Sequence, residues 1–107
     1  MVLSGGDSAP TNFKVSASPG SKNSFIIAWT ASSDTPIEDF LLEVRHPSPE
    51  AEWKLWNVVP TKEGPNYYGG KQMLRDLELG AQYKARITVQ NGAGWGKAGP
   101  EWYFTPG

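Results

Sequence analysis

A glycine-rich run near the end of the chain has the spacing of a nucleotide-binding loop. Gly94, Gly96 and Gly99 match the pattern G-x-G-x-x-G, in which a helix that follows a strand holds a pyrophosphate at its N-terminus. Pro100 comes next and the remaining residues favour strand, so no helix can begin there. We therefore interpret these glycines as residues of a long hairpin loop that supply positive φ, and we predict no cofactor.

Acid–base or metal chemistry would have to rest on one histidine and two groups of carboxylates. His46 precedes Pro47 in a predicted loop, and we interpret it as an exposed side chain without a role. The chain has no cysteine, no calcium-loop spacing and no nucleophile elbow. We therefore predict no catalytic residue, no metal site and no enzymatic activity. The carboxylates lie near two loops and are interpreted as solvated: Asp34, Glu38 and Asp39 near the first, Glu50 and Glu52 near the second.

The length and charge limit what the chain can be. Its 107 residues suit one domain, and a net charge of −1 gives no electric field that would hold nucleic acid or an anionic membrane. No apolar run approaches the ~20 residues of a membrane span. We expect a linker in residues 1–9, one domain in residues 10–107, and a monomer when that domain is isolated.

Short runs of alternating apolar residues, separated by nine prolines and by turn residues, predict seven strands. Such a series indicates an all-β sandwich or barrel. The segment from Lys71 to Arg86 also has apolar residues at helical spacing. Gly80 and the alternation that follows it favour strand there instead. The predicted runs are Phe13–Val15, Phe25–Trp29, Phe40–Val44, Trp53–Val59, Met73–Leu77, Tyr83–Val89 and Trp102–Thr105.

The outward positions of the third and sixth predicted strands carry charges of opposite sign. Glu43 lies on the third strand, and Lys84 and Arg86 lie on the sixth. If the two strands pair, these side chains can interact across the ladder, although we interpret the outward positions as a solvated face.

Three groups of residues together resemble the fibronectin type III family. Trp29 is similar to the family's core tryptophan on its second strand. Leu77, the turn after it and Tyr83 resemble the family's leucine–turn–tyrosine pattern, although Leu79 stands where proline is common. The ending Phe104–Gly107 looks like the family's last strand and exit. The resemblance covers residues 10–107 and implies an antiparallel, immunoglobulin-like sandwich of seven strands in two sheets, with Trp29, Leu77 and Tyr83 as structural hallmarks.

The resemblance also implies a non-catalytic module that spaces neighbouring domains or contacts other proteins. Residues 36–40 followed by 52–54 look most like type III domains of immunoglobulin-superfamily cell-adhesion molecules. That likeness implies an extracellular or cell-surface location in a larger protein. Two alternatives stay open: an intracellular module of a filament-associated giant protein, and an accessory domain of a secreted carbohydrate-active enzyme whose exposed aromatic rings stack on sugar.

Trp95 is the residue most suited to recognition, because a glycine-rich loop offers few neighbours that could bury an indole. The corresponding loop contacts ligands in some members of the family. We therefore predict protein contact through Asn91, Trp95 and Lys97. The alternative is that the Trp95 ring folds back onto Pro100 or the adjacent strand and caps the edge of the core.

Overall fold

The computed structural model describes residues 10–20, 22–33, 35–46, 48, 50–92, 94–96, 99 and 101–107. No helix occurs in these ranges, so they contain no helix that is long and apolar enough to cross a membrane. The strands are β1 (Thr11–Ala17), β2 (Phe25–Ser32), β3 (Ile37–Arg45), β4 (Lys54–Val58), β5 (Thr61–Gly64), β6 (Tyr67–Leu74), β7 (Tyr83–Asn91), β8 (Gly94–Trp95) and β9 (Trp102–Phe104).

The strands form two antiparallel sheets that pack as a sandwich. One sheet has the order β1-β2-β6-β5, and the other has the order β4-β3-β7-β8, with β9 also paired to β7. β8 and β9 lie along the same edge of β7, near its two ends. Between them the N–H of Gly96 donates to the carbonyl of Val89 at 2.9 Å, and that of Gly99 donates to Ile87 at 3.0 Å. The two segments therefore act as one interrupted edge strand.

The predicted all-β sandwich is confirmed, but the count of seven strands is wrong, since the described residues form nine. β5 has no apolar alternation, because nearly all its side chains are exposed at a sheet edge. β8 falls in the run interpreted as a loop. The strand expected over Met73–Leu77 is β6, which begins six residues earlier, at Tyr67, and ends at Leu74. Gly69 and Gly70 in this strand are poor strand formers, so the first half of β6 was not recognised from the sequence.

The core lies where the inward residues of both sheets meet. Trp29 on β2 is 1% exposed, and its ring meets the edge of Phe40 on β3 with centroids 5.5 Å apart. Gly70 on β6 is the register partner of Trp29, and a β-carbon there would lie 2.6 Å from the indole ring. The missing side chain of Gly70 therefore provides the space that the tryptophan fills.

One end of the sandwich is held by hydrogen bonds to the connection between β6 and β7. The hydroxyl of the buried Tyr83 accepts a hydrogen bond from the backbone N–H of Glu78 at 2.9 Å. The N–H of Leu77 donates to the carbonyl of Asn23, and the Asn23 side-chain amide donates to the carbonyl of Leu77, both at 3.0 Å. Tyr83 and Leu77 thus lie at one corner, where the resemblance placed them, and Asn23 is a partner that the sequence did not indicate.

Candidate functional site

The solvent-facing side of the β4-β3-β7-β8 sheet, with β9, is called the outer face below. Its side chains alternate with those that enter the core, so that Leu42 points inward and Leu41 and Glu43 point outward. Antiparallel pairing then brings outward residues of neighbouring strands side by side. Six residues define the face: Leu41, Glu43, Leu55, Arg86, Trp95 and Tyr103.

A stacked ion pair occupies the centre of the outer face. Glu43 and Arg86 are register partners, and the guanidinium donates from Nε to one carboxylate oxygen at 2.8 Å and from its terminal nitrogen to the other at 3.2 Å. The same guanidinium lies 4.0 Å from the ring centroid of Trp53. The hydrogen bonds that Arg86 donates to Glu43 raise the pKa of Arg86 above its ordinary value, outweighing the opposite effect of partial burial. The contact between Glu43 and Arg86 that strand pairing permits is present, so the interpretation of these positions as solvated is wrong for this pair. Lys84 contacts Glu101 rather than Glu43.

Other charged and polar groups of the outer face also have partners close by. Lys84 lies 3.9 Å from a carboxylate oxygen of Glu101, and its ammonium lies 5.8 Å from the ring centroid of Tyr103. The Asn57 side chain donates to Asp39 at 2.9 Å. Lys84 and Glu101 therefore balance each other within the face, whereas Arg45, the register partner of Lys84, has a buried Nε without a hydrogen-bond acceptor among the described residues.

Three large apolar side chains remain exposed around this charged centre. Leu55 is 59% exposed and pairs with Glu43, Tyr103 is 55% exposed and pairs with Lys84, and Trp95 is 47% exposed and pairs with Gln90. Leu55 lies on one edge of the sheet, and the two aromatic residues lie on the other. The outer face thus combines exposed rings with an arginine already fixed in place, which is the composition that protein interfaces favour.

Two of the three residues predicted to contact protein, Asn91 and Trp95, are described, and they point to opposite sides of the sheet. Trp95 belongs to a strand and faces outward, outside the hydrophobic core, so it does not cap that core. Asn91 ends β7, pairs with Gly94, and alternates with Gln90, so it points to the opposite side of the sheet from Trp95. Lys97 lies outside the described residues, as does Pro100. The contact role of all three stays a prediction.

Leu55 and Tyr103 were not singled out from the sequence. The outward position of Tyr103 was available in the pattern, because Tyr103 lies between Trp102 and Phe104. The run from Trp53 to Val59, which holds Leu55, has no clear inward face in the sequence. Since alternate side chains of a strand leave on opposite sides, a large apolar residue between two core residues must face water or a partner.

The other candidates for chemistry are accounted for structurally. Of the three glycines expected to have positive φ, Gly94 does, at 112°, whereas Gly96 and Gly99 do not. The residue after Gly94 stays in a strand rather than opening a helix. His46 is half-buried instead of exposed and idle: its ring meets Tyr83 edge-on at 5.1 Å, and its Nε2 lies 3.3 Å from Glu78. The described residues contain no group of three or more His, Asp or Glu side chains suited to a metal ion.

Comparisons with known proteins agree with this architecture. The fn3 domain of the human collagen alpha-1(XX) chain aligns with a TM-score of 0.71 at 18% identity, covering 97% of this chain and 89% of that one. A myokine structure aligns with a TM-score of 0.68 at 21% identity, covering 94% and 98%. The third fibronectin III domain of the human KIAA0343 protein aligns with a TM-score of 0.63 at 20% identity, covering 99% and 89%. Identities this low show a shared fold alone, and no curated protein matches at a significant level.

The sequence also matches a family model directly. The model of the fibronectin type III domain covers residues 8–105, which is nearly the whole chain. The buried Trp29 and the bond from Glu78 to the Tyr83 hydroxyl occupy the places that the family resemblance assigns to them. The chain belongs to the fibronectin type III family.

Proposed function

We propose that this chain is a non-catalytic module of an extracellular or cell-surface adhesion or receptor protein, and that it contacts a partner protein through its outer face. Domains of this family are generally binding or spacer modules. The observation that carries the proposal is the exposure of Leu55, Trp95 and Tyr103 on one face of one sheet. The domain itself remains a monomer, and recognition uses neither nucleic acid nor membrane insertion.

The electrostatics of the outer face support contact with protein. Glu43, Arg86 and Lys84 already have partners, so a second surface can cover them without leaving a charge unpaired. The rings of Trp95 and Tyr103 supply large apolar area with few rotatable bonds. Covering the face therefore gains apolar burial at a limited cost in desolvation and conformational entropy.

The size of the outer face indicates a contact that is weak for one domain and becomes strong when many copies bind together. Its longest strands have nine residues, a length of about 30 Å, and four strand positions span about 20 Å. Such an area lies at the lower end of specific interfaces, where complexes are transient. Many copies presented together on a surface would bind firmly through avidity.

A display experiment tests the proposal. The domain is coupled to beads at high density and offered to soluble cell-surface ectodomains and to beads that carry the domain itself. A double variant, Trp95→Ala with Tyr103→Ala, is displayed in parallel. Leu79→Ala is the matched control. Leu79 is 48% exposed, which is close to the exposure of Trp95, and it lies in the β6–β7 connection, outside the outer face.

The result expected is capture of at least one ectodomain by the parent and by Leu79→Ala, and its loss with the double variant. Capture that survives in the double variant would reject the outer face as the contact site. No capture by any version would reject the contact function and leave the domain as a spacer between its neighbours.

A further inference from the structure

One edge of the other sheet is only partly covered by a neighbouring strand. β5 pairs with β6 through register partners at Tyr67, Tyr68 and Gly69 alone. β6 continues to Leu74, and no strand in the described part of the chain pairs with its residues 70–74 on that side. This uncovered stretch, residues 70–74, is called the free edge below.

The hydrogen bonds of the neighbouring strands show which backbone groups point out of the free edge. The N–H of Ser18 donates to the carbonyl of Ser24 at 2.9 Å, so Ser24 and every second residue after it direct their groups toward β1. Phe25, Ile27 and Trp29 therefore direct theirs toward β6, where their partners are Leu74, Gln72 and Gly70.

The remaining residues of the free edge, Lys71 and Met73, direct their N–H and C=O groups away from the sheet. A contact of Gln72 agrees with this, since its side-chain amide donates to the carbonyl of Met73 at 3.0 Å, from the uncovered side. The pattern of donors and acceptors is the one that an additional antiparallel strand would recognise.

A cleft of about 560 Å³ opens between the two sheets at the same end of β6. Its floor is apolar and is formed by Val44, Leu74, Leu77 and by the ring of Trp56 on β4, the strand that contacts β6 from the other sheet. A strand added to the free edge would turn every second side chain inward, beside Leu74, where the cleft begins.

The charges around the cleft decide what kind of side chain fits it. Its lining includes the acidic Glu50, Glu52 and Asp76, the basic Lys54 and Arg75, and His46. Because both signs are present, the rim does not favour a charged group, whereas the floor favours an apolar one. The volume of the cleft is within the range of ordinary ligand pockets.

We propose that the free edge binds an extended peptide segment of a partner protein, which adds to the sheet as a strand and inserts one apolar side chain into the cleft. Backbone bonds to Lys71 and Met73 would supply the orientation, and the apolar anchor would supply the selectivity. This inference is independent of the proposed function, because the free edge belongs to the other sheet and the cleft is lined by none of the six residues that define the outer face.

The test uses capped synthetic heptapeptides in which Thr and Val alternate and the central residue is Phe or Ala. Each peptide is titrated into the isotope-labelled domain while backbone amide and indole resonances are followed by NMR. The Phe peptide is expected to shift the amides of Lys71 and Met73 and the indole of Trp56, and to slow exchange of the two amides. The Ala peptide is expected to bind about tenfold or more weakly, because the anchor is lost.

Two variants of Met73 distinguish the contribution of its backbone N–H to peptide binding from the contribution of its side chain. Met73→Pro removes the edge N–H, which no sheet bond uses, so folding should be retained, and binding of the Phe peptide should weaken about fivefold or more. Met73→Ala keeps the N–H and should bind the peptide within about twofold of the parent.

Three results would overturn the proposal. One is the absence of shifts at Lys71 and Met73 when the Phe peptide is in excess. Another is equal binding of the Phe and Ala peptides. The third is a set of shifts at these amides that depends on domain concentration without peptide, which would make a second copy of the domain the occupant.

Discussion

The indole ring of Trp29 lies against the backbone of Gly70, where a β-carbon would come within 2.6 Å of the ring. Gly70→Ala should therefore force the tryptophan or β6 to move and lower the free energy of unfolding by about 1–3 kcal/mol. Gly64→Ala is the matched control, because its β-carbon would meet nothing closer than 3.8 Å. Urea unfolding followed by tryptophan fluorescence measures both, and equal midpoints for the two variants would contradict the packing described for Trp29.

The Tyr83 hydroxyl is expected to stabilise the corner at the start of β7. Tyr83→Phe keeps the buried ring but leaves the N–H of Glu78 without its partner, so the free energy of unfolding should fall by about 1 kcal/mol. Tyr103→Phe removes a hydroxyl from an exposed ring and should change stability by less than about 0.5 kcal/mol. If the two variants unfold at the same urea concentration, the bond to Tyr83 does not stabilise the corner.

The ion pair at the centre of the outer face should contribute measurably to stability. Glu43→Gln removes the charge from a largely buried carboxylate whose two oxygens accept from Arg86, and should cost about 1–2 kcal/mol. Glu101→Gln alters a more exposed pair at 3.9 Å and should cost less than about 0.5 kcal/mol. A double-mutant cycle of Glu43→Gln with Arg86→Gln should give a favourable coupling energy, and a coupling near zero would mean that the pair is only incidental.

The raised pKa of Arg86 fixes how this residue responds to pH. A group whose pKa is higher in the folded state stabilises that state fully below its unfolded pKa, and the stabilisation is lost as pH rises through the folded value. For arginine both values lie far above neutrality. Stability attributable to Arg86 should therefore stay constant around neutral pH, and a difference curve between the parent and Arg86→Gln that slopes there would contradict this.

Much of the sandwich could be predicted because its inner strands alternate strictly. The runs from Phe25, Phe40 and Tyr83 place their apolar residues on one side, and those residues form the buried core. The same signal fails at the edges of the sheets. β5 exposes nearly all its side chains, and the first half of β6 holds two glycines, of which Gly70 is required by the packing contact with Trp29, so neither segment shows alternation.

The candidate site was only partly predictable, because the side of the sheet on which Trp95 lies depends on strand register. The exposure of Trp95 follows from its residue type and its glycine-rich surroundings, but its side of the sheet depends on how the hairpin after Asn91 aligns β8 with β7. A shift of one residue in that register would turn the indole to the opposite side. Such alignment is set by turn geometry, which a run of glycines leaves open.

The most direct test of the proposed contact face is the dissociation constant for an ectodomain captured by the beads, measured for single variants whose folding has been verified. Trp95→Ala and Tyr103→Ala should each weaken binding by about tenfold or more, as expected for aromatic anchors, while Leu79→Ala stays within about twofold of the parent. Dissociation constants that are unchanged in both aromatic variants would contradict the assignment of the outer face as the site of protein contact.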